Sequence, residues 1–341
     1  MNLSLLKVLS ETPGVAGREE RVRAILEREM KGLFDSVVTD PMGNLVATKK
    51  SSAAGAKRVL LACHIDEIGF YVRHVDAQGF LRVHNAGMFD TKNLAARRVL
   101  VQTSSGDLLG LMNPSGRPVH IARDEDKKKM PELTDFAVDL CLPADEVKAK
   151  VRVGDPVTLV QEFSEIGQCV SGKCLDNRVA AFIAIEALRQ VPNPRHEVIV
   201  ACTVQEEVGL RGAGPAAFAA DPEIAIAIDT TLAVDTPGVP EDERVTKQGD
   251  GVALTLMDGS MISDRALVDE LETVSKRREI PHQLSILPRG GTDAGAMQRQ
   301  RGGVRVMTLS VPTRYIHTTT ESVHKRDIQS AIDLLAAWLE G

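Results

Sequence analysis

Five separate segments of this chain place a histidine or a carboxylate at the boundary of a structural element. EVIVACTV (197–204) is apolar and β-branched, and Glu206 and Glu207 follow it side by side. RVLLACHI (58–65) runs into CHIDE, which carries His64 and Asp66. EIAIAID (223–229) ends on Asp229, Asp176 opens an apolar helical run, and His317 follows a further strand in PTRYIHTTTE. Imidazole and carboxylate together suit zinc, cobalt or manganese. A two-metal site takes about five to six protein ligands, with a carboxylate bridging cations ~3.5–4 Å apart. In His64-x-Asp66 the side chains of an extended chain project to the same side, so one can ligate while the other orients it. Adjacent glutamates leave the backbone in different directions, so one can bind metal while its neighbour serves as general base toward a water. Taken singly, each residue has a plainer reading: an acid after a strand caps a helix or faces solvent, and a lone histidine sits hydrogen-bonded in a core. The joint occurrence is what points to metal chemistry. HIDEIGFYVRH lacks H-E-x-x-H, which excludes a helix-borne zincin site.

The elements that must bring these residues together alternate. GREERVRAILEREMK (17–31) reads as an amphipathic helix and DPMGN (40–44) as a turn between short strands. NRVAAFIAIEALRQV (177–191) is a helix with almost no polar face. Beyond it come the 197–204 strand, the helical GPAAFAA, the 223–229 strand, a helix over 266–279, a strand over 304–310 and a terminal helix over 325–339. Such alternation predicts an α/β fold in which a mostly parallel sheet lies between helical layers, with ligands bound at the carboxyl ends of its strands. From about 70 to 165 the pattern changes to short runs separated by DAQG, SSGD, NPSG and VGDP, which predicts a small inserted β-barrel or sandwich. The expected division is a discontinuous catalytic domain, 1–69 and 166–341, and a β-barrel insert, 70–165.

At 341 residues the chain exceeds what one core usually serves. A net charge of −6 and 3% aromatic residues argue against a nucleic-acid or sugar-stacking surface. The basic run within DEDKKK (124–129) is flanked by acids and reads as a solvated loop. No membrane span or signal segment is expected, and the location expected is cytoplasmic. Five cysteines, with Cys63 and Cys202 inside apolar strands, read as free thiols. Cys169 and Cys174 match no common zinc spacing.

PGVAGREERVR, DPMGNLVA, ACHIDEIGF, GKCLDNRVA, TVQEEVGLRGA, AIDTT, GGTDAGA and PTRYIHTTTE, in this order, resemble the M42 metallo-aminopeptidases nearly end to end. The resemblance implies a three-layer αβα peptidase domain with an inserted β-barrel that drives assembly, commonly into tetrahedral dodecamers. It implies that His64, Asp176 and Asp229 hold one divalent metal and that Asp176, Glu207 and His317 hold the second, with Asp176 bridging. Glu206 would be the base acting on the shared water, and Asp66 would support the His64 imidazole. It also implies a cis peptide after Asp176. Two segments depart from the family pattern: TTTESVH after His317, where Ser-Pro is more usual before the glutamate, and MFDTKNLAARR (88–98), which lacks Gly-Trp and Gly-Gln pairs.

The leading expectation is thus a homo-oligomeric di-metal aminopeptidase, using zinc or cobalt first and manganese third, acting on peptides. Two alternatives stay open at this point. One is a carboxypeptidase or N-acyl-amino-acid deacylase of the related M20 type, which needs a cation for a free carboxylate. The other is a non-catalytic oligomeric shell. Two-carboxylate glycoside chemistry does not require a metal. Asp293, in GGTDAGA, is a candidate for binding a substrate α-ammonium, set against a plain turn into a helix.

Overall fold

A computed structural model of the chain describes residues 1–125 and 129–341, so part of the DEDKKK run lies outside the described residues. The described residues form one eleven-stranded sheet and one closed six-stranded barrel. At the centre of the sheet, Glu197–Thr203, Arg58–His64, Ile224–Leu232 and Arg305–Arg314 run parallel, in that order. Antiparallel strands extend both margins: Leu45–Lys49 and Ser36–Thr39 on one side, Glu321–His324, Cys169–Gly172 and Ser164–Ile166 on the other. Val252–Met257 pairs antiparallel with Arg305–Arg314 and carries the edge strand His282–Ile286. The fold is α/β.

The two faces of the sheet differ because the strands alternate with period two. Ile224, Ile226 and Ile228 point to a large core shared with Val59, Leu61, Val198 and Val200 and covered by the helices Leu175–Gln190 and Lys325–Glu340. Ala225 and Ala227, with Leu60, Ala62 and Ala201, face the other way. Their small side chains leave room for the alanine-rich helix Ala213–Ala220 and the short helix Asp293–Met297. Leu175–Gln190 is buried along most of its length, which explains why its sequence shows almost no polar face.

The barrel is closed by Gly69–Val75, Leu81–Ala86, Phe136–Asp139, Gly106–Pro114, Arg97–Thr103 and Pro156–Leu159, around Phe70, Val99, Val101, Phe136 and Val157. A helix, Ala144–Lys150, lies within this segment although the turn spacing predicted strands alone. The chain enters the barrel at Gly69, where a Cβ would stand 2.7 Å from Val15 Cγ2 and 2.9 Å from the Val157 carbonyl, so only glycine fits. Arg21, in the helix Glu20–Met30, makes a bidentate pair with Asp107 at 2.6 and 2.7 Å, and the Tyr71 hydroxyl donates to the Ala16 carbonyl at 2.7 Å; both contacts tie the barrel to the N-terminal segment. Among the described residues, no helix is long and apolar enough to cross a membrane.

Candidate active site

Parallel pairing sets the register of the site. His64 lies opposite Thr203, so the loop that follows Thr203 carries Glu206 and Glu207 past the His64 ring. Asp229 stands in the next strand, opposite Ser310. Asp176 lies near the start of Leu175–Gln190 but has non-helical backbone angles, and its bond to Asn177 is cis. Asn177 donates to the Ile228 carbonyl at 2.9 Å, which fixes this turn against the Asp229 strand. His317 arrives on the loop after Arg305–Arg314 with a left-handed backbone, φ 62°.

All six of these side chains meet. His64 Nε2 lies 3.2 Å from Asp176 Oδ1, 3.8 Å from Asp229 Oδ1 and 3.9 Å from Glu206 Oε2. His317 Nε2 lies 3.5 Å from Asp176 Oδ2 and 3.3 Å from Glu207 Oε1. Asp176 therefore turns one oxygen to each imidazole. Two triads whose donor atoms lie within 4.8 Å of one another, close enough to hold a metal ion, share it: His64, Asp176 and Asp229, and Asp176, Glu207 and His317. A third grouping, His64 with Glu206 and Glu207, has similar spacing.

Asp66 lies beside the His64 ring and has further partners. It stands 3.4 Å from His64 Nδ1, but that nitrogen has no hydrogen-bond partner. Its two oxygens also accept the backbone N–H groups of Glu206 at 3.0 Å and Glu207 at 3.1 Å. Neighbouring acids follow the same rule. Glu19 accepts from Gly17 at 2.6 Å and Gln205 at 3.2 Å, while Glu67 accepts from the Gly14 N–H at 2.8 Å, Lys173 Nζ at 2.6 Å and Cys174 Sγ at 2.7 Å. Cys174 thus belongs to a buried support of the Asp176 turn, and Cys63 and Cys202 lie 3.9 Å apart as free thiols.

Packing this much charge together shifts the clustered imidazoles and the carboxyls of Asp176, Glu206, Glu207 and Asp229. Burial raises Glu206, Glu207 and Asp229 above the usual carboxylate range; the imidazoles oppose this, while neighbouring acids add to it. Burial also works against Asp176, yet His317 and His64 hold it below the ordinary range. Burial disfavours the charged His317 ring, but its bonds to Asp176 and Glu207 outweigh that and lift it to about 11. Raised acids crowded round two imidazoles are the environment that divalent cations relieve. The oxygen and nitrogen donors, in two triads with a shared carboxylate, fit such ions.

The cluster opens into a cavity of about 620 Å³. Leu210, Leu232, Leu287 and Ile316 give it an apolar wall, and Met88 reaches in from the barrel. The GGTDAGA loop lines it through Gly291 and Thr292, and Arg289 sits just before. Asp293 itself is not part of the lining. It is buried beneath the strand ends, hydrogen-bonded by the Thr203 hydroxyl, and burial pushes it up to about 6. Sequence reasoning missed Arg289, Met88 and the supporting acids Glu19, Glu67 and Glu321.

The family model for the M42 glutamyl aminopeptidases matches residues 43–334. The chain belongs to this family. It is 33% identical to a lysyl aminopeptidase of Pyrococcus furiosus, with 98% of this chain and 96% of that protein covered. A TET aminopeptidase from a marine sediment archaeon of the Thaumarchaeota has the same architecture, with a TM-score of 0.95 at 34% identity over 99% of this chain and 95% of that one. The TET1 peptidase of Pyrococcus horikoshii, which can assemble into a tetrahedron or a large octahedral shell, superposes with a TM-score of 0.87 at 31% identity over 99% and 98% of the two chains. As a member of this M42 family, the chain is a hydrolase acting on peptides.

Proposed function

We propose that the chain is a two-metal aminopeptidase that removes single residues from free peptide N-termini. The observation that carries this reading is Asp176, which presents one oxygen to the His64–Asp229 triad and the other to the Glu207–His317 triad. Bound divalent cations would polarise the scissile carbonyl and acidify the attacking water. His64, Asp176 and Asp229 would hold one and Asp176, Glu207 and His317 the other. Glu206 then takes a proton from the attacking water and hands it to the departing amine. Burial raises its affinity for protons, which suits a group that must take one up and hand it on. Asp66 keeps Glu206 and Glu207 apart in their two roles by fixing both of their backbone N–H groups. The apolar wall of the cavity excludes water from the first side chain of the substrate.

Residues 1–69 and 166–341 serve the chemistry in this reading, and 70–165 serve assembly. Exposed Leu109, Leu111, Val119 and Ile121 in the barrel segment support a homo-oligomer, as does the self-assembly of the horikoshii relative. Light scattering at micromolar concentration tests it; a monomer contradicts it.

Arg289 favours a second reading. Among the described residues it is the sole Lys or Arg on the cavity lining, and a carboxylate-binding deacylase or carboxypeptidase needs such a group. Paired peptides with free and blocked N-termini separate the two. The aminopeptidase reading expects turnover of the free-amine peptides alone, after chelation and readdition of zinc, cobalt or manganese. Turnover of the blocked peptides alone contradicts it.

A further inference from the structure

Glu321 is buried and takes no part in the chemistry above. Its Oε2 accepts the backbone N–H of Asp176 at 2.9 Å, and its Oε1 accepts the backbone N–H of His317 at 2.9 Å. These two residues belong to one triad, Asp176, Glu207 and His317. Sheet topology explains how one carboxylate reaches both. Glu321 opens the strand Glu321–His324, which lies between Cys169–Gly172 and Arg305–Arg314 and runs antiparallel to each. The first of these neighbours leads through Lys173 and Cys174 to Asp176, and the second leads through Tyr315 and Ile316 to His317. The start of the middle strand therefore sits where both neighbours end.

Each N–H lacks another acceptor for a local reason. Asp176 lies in the first turn of its helix, where donors have no intrahelical partner. His317 is held at φ 62°, a region that a residue with a side chain enters only at a cost, and Tyr315 at 60° shares it. Something must fix that loop. Within it, the Thr318 hydroxyl donates to the Tyr315 carbonyl at 2.7 Å and accepts the Thr320 N–H at 3.1 Å, but neither bond ties the loop to Asp176. Glu321 does.

We propose that Glu321 is a positioning residue for the second metal position: by gripping the backbones of Asp176 and His317 with its two oxygens, it sets the spacing of their side chains. The inference rests on the two-metal reading above. Asp66 is its counterpart on the other side, holding Glu206 and Glu207 in the same bidentate way.

The test needs a control for the plain loss of a buried acid that accepts two N–H groups. Asp327 supplies one. It is buried and accepts Gly249 N–H and Gly251 N–H, each at 2.8 Å, outside both metal triads. Zinc is titrated into metal-free full-length wild type, Glu321→Gln, Glu321→Asp and Asp327→Asn, with binding followed by calorimetry and zinc per chain counted after dialysis. Gln keeps one accepting oxygen and turns a donor toward the other N–H; Asp keeps the charge but is one methylene shorter, which draws its oxygens back from both N–H groups.

The expected result is two zinc sites in wild type. In both Glu321 variants one site weakens about 10- to 100-fold, and by at least tenfold more than the other. Asp327→Asn should keep both affinities. Unchanged zinc binding in the Glu321 variants overturns the proposal, and so does an equal loss at both sites or the same loss in Asp327→Asn. If Glu321→Gln fails to fold, Glu321→Asp decides alone. Fewer than two sites in wild type itself sinks the two-metal reading, and this proposal with it.

Discussion

Among the described residues, the barrel between Gly69 and Leu159 buries only two polar side chains, Gln102 and Thr158, and neither can ionise. The sheet domain buries Glu19, Lys49, His64, Asp66, Glu67, Lys173, Asp176, Arg178, Asp229, Asp258, Asp293, Glu321 and Asp327. Removing a charge from water costs several kcal/mol unless it is paired. The barrel avoids that cost, and the sheet incurs it largely at one end, where its parallel strands stop. The supporting acids show how the expense is met. Asp66, Glu19, Glu67 and Glu321 each accept backbone N–H groups, so backbone dipoles replace water around them. The difference teaches where function lies: the barrel holds itself together by apolar packing, and the sheet gives up that economy to hold reactive groups in fixed positions.

The sharpest way to break this comparison is Asp176→Ala. Both triads lose their shared ligand, so metal analysis should find neither cation retained and hydrolysis should fall to background, with helix and strand content by circular dichroism intact. Glu206→Gln comes next. Metal content should stay at the wild-type level while kcat drops about 10²- to 10⁴-fold, as expected for a lost general base. Loss of metal in that variant would instead favour the His64–Glu206–Glu207 grouping.

The barrel side is probed by Phe136→Ala, a fully buried position in its core. Urea unfolding should report a loss of about 3–5 kcal/mol, typical of a large-to-small core change. Zinc binding and kcat of the folded fraction should not change. A collapse of zinc binding would show that barrel packing is coupled to the site. The smallest effect concerns pH. Burial raises Asp327 from 3.8 to about 6, against its two backbone hydrogen bonds. The folded chain therefore binds more protons than the unfolded one between those values. This contribution to stability is full below about pH 4, declines as pH rises to about 6, and is constant beyond. The decline is at most about 3 kcal/mol. Asp327→Asn should flatten it in urea titrations at pH 4 to 7; an unaltered slope would assign it to other groups.

The sequence made the strand-borne part of the site readable because apolar β-branched runs that stop on an acid or imidazole are conspicuous. EVIVACTV and EIAIAID are of this kind, and the alternation of Ile and Ala even encodes the two unequal faces of the sheet. The supports were hidden for a physical reason. Asp66 beside His64 reads as a partner for the imidazole, and it does stand 3.4 Å from Nδ1, but it also accepts N–H groups 140 and 141 residues away, and backbone donors leave no mark in a sequence. Glu321 was hidden likewise, inside a short strand with little apolar run of its own. Asp293 shows the converse: an acid in a glycine-rich loop near the site reads as a ligand for substrate, but the fold turns it inward to Thr203. The helix Ala144–Lys150 escaped because it is a seven-residue element within a segment of turns and strands.

The central claim is that two divalent cations share Asp176 and that hydrolysis depends on both. Counting bound zinc against turnover of an aminoacyl substrate, as metal-free protein is reconstituted stepwise, tests it most directly. The account predicts no turnover without metal and full activity at two zinc ions per chain. Undiminished turnover from protein shown to contain no metal would contradict it.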